Sequence, residues 1–243
     1  MNIIKLNATE STNTYLKELA RESFLSDQTV VVAENQTKGR GQRANAWHSE
    51  PGESLTFSML KRFSDLPAER QFLVSMAVST AICDALSAFE VPNVSVKWPN
   101  DILSDGKKIS GILIENTLEK HNIKYAVIGI GINVNLKRLP NLPQASSMKN
   151  QTGRHFDLEK VLHALLEKCF AGLDNLQVAH FSEYKKQYEA YMFGYKQKSL
   201  FESLDGNRFY ATILGVSDIG ELLLQTDQGV VREIQVKELR MIY

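Results

Sequence analysis

The sequence has few of the features that mark specialised classes of protein. Its two cysteines, Cys83 and Cys169, lie in helix-like apolar segments without a CxxC spacing, so neither a disulfide framework nor a zinc site is predicted. No continuous apolar run reaches about 18 residues, and the N-terminus lacks a basic segment followed by an apolar one. Neither a membrane span nor a signal peptide is therefore predicted, and a cytoplasmic location is the default expectation.

The chain also has no excess of charge of either sign. The 28 basic residues balance 28 acidic ones, so a surface that binds nucleic acid over its whole area is not expected. Any bound anion must be met by a local cluster of cations. With 43% hydrophobic and 23% charged residues in 243, the composition is that of a folded globular protein with one main core.

Several common catalytic signatures are missing as well. No phosphate-binding G-x-x-x-x-G-K-[ST] loop and no G-x-S-x-G nucleophile motif occurs, and the five histidines have no metal-site spacing. The segment "GRGQRA", residues 39–44, fits a dinucleotide fingerprint, which requires a helix directly after it. Pro51, Gly52 and a strand follow instead, so a dinucleotide site is excluded.

What is present is an alternation of strand and helix patterns. We predict a helix starting near Asn13, strands at "TVVVAE" and "SLTFSMLK", and a long buried helix over Pro67–Phe89. "VSVKW", "KKISGILIEN" and "IKYAVIGIGINVN" predict a mixed or antiparallel meander, and helices follow from Asp157 and over Phe181–Met192.

Beyond Gly194, "DG", "IG" and "QG" turns separate four or five short strands, which is typical of a small β-barrel. The predicted fold class is α+β, a mixed and largely antiparallel sheet with flanking helices. The predicted domains are residues 1–193 and 194–243.

The loop "ENQTKGRGQRANAW", Glu34 to Trp47, is the first segment that suggests chemistry. Gly39 and Gly41 allow the backbone to approach a ligand, while Lys38, Arg40 and Arg43 supply charge for a carboxylate or phosphate. Taken alone, the pattern equally fits a solvated basic turn between two strands.

The segment "VKWPNDILSDGKKISGILIEN" provides a second set of polar residues. Asn100 and Asp101 follow a proline in a predicted turn. They either accept hydrogen bonds from a ligand, with the Asp101 carboxylate beside a metal, or only form the turn itself. Simple alternation places Lys108 and Ser110 on one face of the next strand and Ile109 and Gly111 on the other. Lys108 then either meets an anion on the sheet or protects a strand edge.

Two glycines, Gly129 and Gly131, interrupt the β-branched segment "VIGIGINVN". A strand loses packing at such positions, so they indicate a bulge or the close approach of another group.

Five motifs in order, "ESTN", "QTKGRGQRANAW", "VKWPNDIL", "GKKISGILIE" and "GIGINVN", resemble the catalytic domain of biotin protein ligases. The segment after Gly194 is similar to the SH3-like domain that ends these enzymes. The resemblance implies the class II synthetase-like fold and a two-step reaction. Biotin and Mg-ATP give biotinyl-5'-AMP, and a lysine of a biotin carboxyl carrier protein then takes the biotinyl group.

The resemblance also implies roles for individual residues. Lys108 and Arg40 match catalytic positions, and Asp101 is assigned as a Mg²⁺ contact. Biotin-binding positions are Ser11, Thr12, Asn13, Gln36, Arg40, Gly41, Gln42, Lys108 and Gly111. ATP-binding positions are Arg40, Arg43, Trp47, Asn100, Asp101 and Asn133.

The chain departs from the family pattern at two positions. Many members have a second arginine where this chain has Gln42, and glycine where it has Ala44, which puts retention of the adenylate in question.

The chain begins close to the first motif, so no helix-turn-helix domain, operator binding or other nucleic-acid partner is expected, nor a membrane partner. Exposed strands would allow a homodimer or docking of the carrier. The alternatives are a lipoate or octanoate ligase of the same fold and a non-catalytic biotin or nucleotide sensor.

Overall fold

The computed structural model describes residues 1–42, 45–137 and 142–243. Seven strands form the main sheet in the order β1-β2-β3-β7-β6-β5-β4. Their bounds are β1 Asn2–Thr9, β2 Thr29–Gln36, β3 Ser54–Arg62, β4 Val94–Lys97, β5 Asp101–Ser104, β6 Lys107–Glu119 and β7 Asn122–Asn133. Only β1 and β2 pair in parallel within this sheet, so it is mixed and largely antiparallel, as predicted.

Helices cover both faces of this sheet. Helix α1 (Thr12–Glu22) packs on one face, where Leu16 meets a small cluster around Val31 and Leu60. Helices α2 (Phe72–Ala88), α4 (Leu158–Asp174) and α5 (Phe181–Tyr191) pack together on the other face, and a short α3 (Met148–Thr152) lies before α4. Strand β3 is buried along almost its whole length because helices cover both of its faces.

The long helix α2 is an interior element. With the preceding 3-10 turn it spans Ala68–Ala88, and this stretch is long and apolar enough to cross a membrane. It is, however, 67% buried inside the fold over its most apolar window, where it packs against α4 and α5. This agrees with the buried helix expected from the sequence.

A second, five-stranded antiparallel sheet follows α5. It consists of β8 Lys198–Ser203, β9 Arg208–Val216, β10 Leu222–Thr226, β11 Val231–Ile234 and β12 Leu239–Ile242, in the order β11-β10-β9-β8-β12. It is consistent with an SH3-like barrel, although the sheet stays open between β11 and β12. Phe201, Ala211 and Ile213 join the same hydrophobic core as α2, and a domain boundary at Gly194 stays a prediction.

Among the described residues, two strands and one α-helix were not predicted. Strand β1 has a mostly exposed pattern without clear alternation, and β5 has only four residues, so neither carries a strong sequence signal. Helix α3 is a single turn that is capped by the Ser147 hydroxyl. The predicted helix start at Pro67 was wrong by five positions, because a 3-10 turn over Ala68–Arg70 precedes α2.

Candidate active site

A cavity of about 340 Å³ opens between the main sheet, the loop after β2 and the second sheet. The start of α1, the glycines of β6 and β7, and residues 97–101 line it from the main sheet, and Leu239, Arg240 and Met241 of β12 close it from the other side. The sequence-predicted positions that line it are Ser11, Thr12, Asn13, Gln36, Arg40, Gly41, Gln42, Trp47, Asn100, Asp101, Lys108 and Gly111.

One end of the cavity is a network of neutral polar groups at the start of α1. The backbone N–H and the hydroxyl of Thr12 both donate to Oε1 of Gln36, at 2.8 and 3.1 Å. The Ser58 hydroxyl lies 2.7 Å from Oγ1 of Thr12 and 2.6 Å from Oδ1 of Asn13. Because Thr12, Asn13 and Ser58 are almost fully buried and these groups fix one another, they are prepared to bind an uncharged polar ring.

Glu115 anchors this network from the middle of β6. Its carboxylate accepts from Nδ2 of Asn13 at 2.9 Å and from Nζ of Lys17 at 2.6 Å, and Arg40 lies 3.6 Å away. Burial opposes ionisation of Glu115, but the bonds from Lys17 and Asn13 and the charges of Lys17 and Arg40 outweigh it and lower its pKa. The ionised carboxylate therefore holds Asn13 and the Arg40 side of the loop.

Glycines form the floor of the cavity. A β-carbon on Gly129 would overlap the side-chain amide of Asn13, and one on Gly131 would overlap the indole of Trp47. At Gly111 it would lie 3.2 Å from the same indole and 3.4 Å from Nζ of Lys108. The close approach suggested by the glycines of "VIGIGINVN" is therefore present, and the approaching groups are protein side chains.

Lys108 lies at the opposite, charged end of the cavity. Its Nζ is 2.6 Å from Oδ1 of Asp101, and Nζ of Lys97 is 3.9 Å from the other carboxylate oxygen. Burial, together with the charges of Lys108 and Arg240, lowers the pKa of Lys97 even though Asp101 raises it. Two lysines thus face a single carboxylate, while Arg240 lines the same cavity and pairs with Glu202 at 2.9 Å. An anion entering here gains from the two ammonium groups.

The predicted facing of Lys108 was wrong. Leu103 pairs with Lys108 and Ile102 pairs with Ser110, so Ile109 is an extra residue in β6. Such a bulge shifts the alternation by one residue. It places Lys108 on the same face as Gly111, whereas Ser110 turns away and donates to the carbonyl of Gly131.

Sequence reasoning missed four residues of the site: Lys97, Glu115, Arg240 and Tyr243. Lys97 lies inside the quoted "VKWPND" motif, and its position next to Asp101 was the available signal. Arg240 lies on β12 of the second sheet and lines the cavity, and Tyr243 directly follows that strand, with its ring 4.7 Å from Nζ of Lys97. No local pattern links them to residues about 140 positions earlier.

Two predicted nucleotide contacts have other partners. Asn100 faces the cavity, but its Nδ2 donates to the carbonyl of Ile112 at 2.8 Å. Asn133 is buried and donates to the carbonyl of Ser146 at 2.9 Å, and it is absent from the described lining. Arg43 and Ala44 lie outside the described residues.

Asp101 does not fit a magnesium site built by protein ligands. Its two oxygens already face ammonium groups, and the described ranges contain no cluster of three or more histidine, cysteine or acidic side chains that could hold a metal ion. A lone carboxylate bound by two lysines is better suited to ordering those lysines.

Comparisons with known proteins show the family of the chain. Residues 6–133 match the family model of the biotin/lipoate A/B protein ligase family. The chain is 33% identical over 236 residues to the bifunctional ligase/repressor BirA of Bacillus spizizenii, covering 94% of this chain and 71% of that protein. It is 32% identical over 166 residues to the biotin–[acetyl-CoA-carboxylase] ligase of Mycobacterium tuberculosis, covering 67% and 60% of the two chains.

Among solved structures, the biotin protein ligase of Aquifex aeolicus in complex with biotin and ATP superimposes with a TM-score of 0.79 at 30% identity. The match covers 99% of this chain and 98% of that one, so it includes the second sheet as well as the catalytic motifs. With the family model matching more than half of its length, the chain belongs to the biotin/lipoate A/B protein ligase family.

Proposed function

We propose that this protein is an ATP-dependent biotin ligase that forms biotinyl-5'-AMP and transfers the biotinyl group to a lysine of a biotin carboxyl carrier protein. The observation that carries the proposal is the division of one cavity into two ends. Neutral groups of Thr12, Asn13 and Gln36 lie at one end, where the charge of Arg40 is balanced by Glu115. Lys97, Lys108 and Arg240 lie at the other. Biotin has the same division, with an uncharged ureido ring and a carboxylate at the end of an alkyl chain.

In the first step, a carboxylate oxygen of biotin attacks the α-phosphorus of ATP. The new O–P bond forms as the bond from the α-phosphorus to the oxygen bridging to the β-phosphate breaks, and pyrophosphate leaves. Two anions must meet, so catalysis depends on positioned cations more than on a protein nucleophile. Lys108 is our first candidate for this role, with Arg40 closing from the loop and Asp101 holding the lysine in place.

In the second step, the neutral amine of the acceptor lysine attacks the acyl carbon of the adenylate. The amide bond forms, the acyl carbon–oxygen bond to phosphate breaks, AMP leaves, and the amine gives its proton to solvent. No covalent enzyme intermediate is needed. Burial raises the pKa of both cysteine thiols, that of Cys169 to about 12, so neither is prepared to be a nucleophile.

The nucleotide is assigned to the side of the cavity near Trp47. Its indole lies over Gly131 and Gly111, with its ring centre 5.7 Å from Nζ of Lys108. Trp47 is our candidate to pack against the adenylate, with Asn100 and Arg43 as further contacts. Mg²⁺ would enter with the phosphates of ATP, which supply the oxygen ligands it prefers.

The decisive experiment is the exchange of labelled pyrophosphate into ATP, measured with biotin and with lipoate as the carboxylic acid. Biotin-dependent exchange and none with lipoate is the expected result. Exchange with lipoate alone would establish the lipoate ligase of the same fold. Binding of biotin without any exchange would establish a sensor.

A further inference from the structure

A second cavity of about 270 Å³ lies on the other side of residues 99–100 and is not used by the proposed chemistry. It is bounded by the start of α2, by the face of β6 that carries Ile112, Ile114 and Asn116, and by two loops of the second sheet. It shares Gln42, Pro99, Asn100 and Ile112 with the catalytic cavity, so the two spaces are neighbours.

Two buried oxygen atoms in this cavity have no hydrogen-bond partner within the described part of the chain. They are Oγ of Ser79, a residue that is only 1% exposed, and Oδ1 of Asn116. Leaving a buried polar atom unpaired costs about 1–3 kcal/mol. Both atoms can accept a hydrogen bond, so they favour an occupant that carries N–H donors.

The lining also limits the charge of the occupant. Among described residues it contains amides, hydroxyls and apolar side chains, and no charged side chain. A charged group of either sign, such as pyrophosphate or a free ammonium, would lose its hydration there without gaining a counter-charge. The occupant is therefore neutral.

The rim adds an apolar surface. Ile219 is 59% exposed and Val236 is 37% exposed, and each belongs to a different loop of the second sheet. Ile219 is held in place because Gly220 packs directly on Phe72 and its carbonyl accepts from Nε1 of Trp98 at 2.9 Å. An apolar side chain placed between Ile219 and Val236 would cover both.

We propose that this second cavity binds the polypeptide segment next to the acceptor lysine of the carrier protein. Main-chain N–H groups of that segment donate to Asn116 and Ser79, and one of its apolar side chains packs on Ile219 and Val236. The inference rests on the proposed function, because only in the second step must a polypeptide reach the catalytic cavity. Successive α-carbons are about 3.8 Å apart, so residues beside a lysine that enters one cavity fall at the mouth of its neighbour. A backbone segment is neutral and rich in N–H donors, as the lining requires.

The test separates the two steps of the reaction. Ile219→Glu places a charge on the rim, and Ser75→Leu fills the cavity from a partly exposed position on α2. Val230→Glu is the matched control, since Val230 is 54% exposed in the turn between β10 and β11 and lines neither cavity. Each variant is assayed for biotinylation of a carrier domain, for biotin-dependent pyrophosphate exchange and for biotin hydroxamate formation with hydroxylamine.

We expect the KM for the carrier domain to rise about tenfold or more in both cavity variants, as when one central interface contact is lost. Pyrophosphate exchange and hydroxamate formation should stay at the wild-type level in both cavity variants. The Val230→Glu control should match the wild type in all three assays. An unchanged carrier KM in Ile219→Glu with normal exchange would overturn the inference. So would an equal loss of exchange and transfer, which would assign the cavity to the first step. Absence of exchange in the wild type would refute the proposed function itself.

Discussion

The indole of Trp47 lies directly against Gly131, so that a β-carbon on this glycine would overlap the ring. The position of Trp47, in the loop after β2, therefore depends on the absence of a side chain at Gly131 in β7. The same ring also covers Gly111 of β6, so two strands leave room for one aromatic side chain.

We predict that Gly131→Ala displaces Trp47 and lowers kcat/KM for biotin-dependent pyrophosphate exchange by on the order of 10- to 100-fold. Steady-state exchange at varied ATP measures it. Gly172→Ala, in helix α4, is the control, because its β-carbon would lie an ordinary 3.7 Å from its nearest neighbour, the carbonyl oxygen of Ala77 in α2. That substitution should leave exchange unchanged and stabilise the fold by about 0.5–1 kcal/mol.

We predict that Lys108→Ala lowers biotin-dependent exchange by about 100-fold or more while the protein stays folded, because it removes a positioned cation from the anionic end of the cavity. Circular dichroism and thermal unfolding monitor the fold. Lys107→Ala, at the exposed neighbouring position, is the matched control and should retain exchange. Near-normal exchange in Lys108→Ala would remove Lys108 from its proposed role.

The local parts of the site could be predicted from the sequence, and the parts set by distant packing could not. Ser11, Thr12, Asn13, Gln36 and Lys108 lie in short motifs, and all of them line the cavity.

The facing of Lys108 depends on the bulge at Ile109, which only the pairing of β6 with β5 reveals. Arg240 reaches the cavity because β12 pairs with β8 and the second sheet packs beside residues 97–101. Contacts across such sequence separations follow from packing and leave no local pattern.

We predict that Gln42→Arg slows the dissociation of biotinyl-5'-AMP by about tenfold, because Gln42 lines the cavity and a guanidinium there would pair with the phosphate. Dissociation of labelled adenylate from wild type and variant measures it. Gln177→Arg, at an exposed position that lines neither cavity, controls for the added charge. Equal rates in wild type and Gln42→Arg would show that Gln42 does not limit retention.

We predict that Glu115→Gln lowers the free energy of unfolding at pH 7 by about 1.5–3 kcal/mol, the range for hydrogen bonds to a charged group. Because the pKa of Glu115 is lowered in the folded state, its stabilisation is present above the ordinary glutamate pKa and is lost as the pH falls through the folded value.

The wild type and Glu115→Gln should therefore differ in urea unfolding at pH 7 and converge in strong acid. Glu18→Gln, at an exposed position on α1, is the control and should track the wild type at each pH. A gap between wild type and Glu115→Gln that stays constant down to strong acid would contradict the assignment.

One hydrophobic core runs from α2 into β9, so a cut in the chain at Gly194 would divide that core. Two fragments separated at Gly194 would each uncover apolar surface, from Met192 and Phe72 on one side and from Phe201 and Ile213 on the other. Each would also carry only some of the cations that line the cavity, since Arg240 belongs to the second fragment and Lys97 and Lys108 to the first. We expect neither fragment to ligate biotin alone. We expect reassembly of the two fragments to restore the site, so this position is suitable for a split reporter of protein proximity.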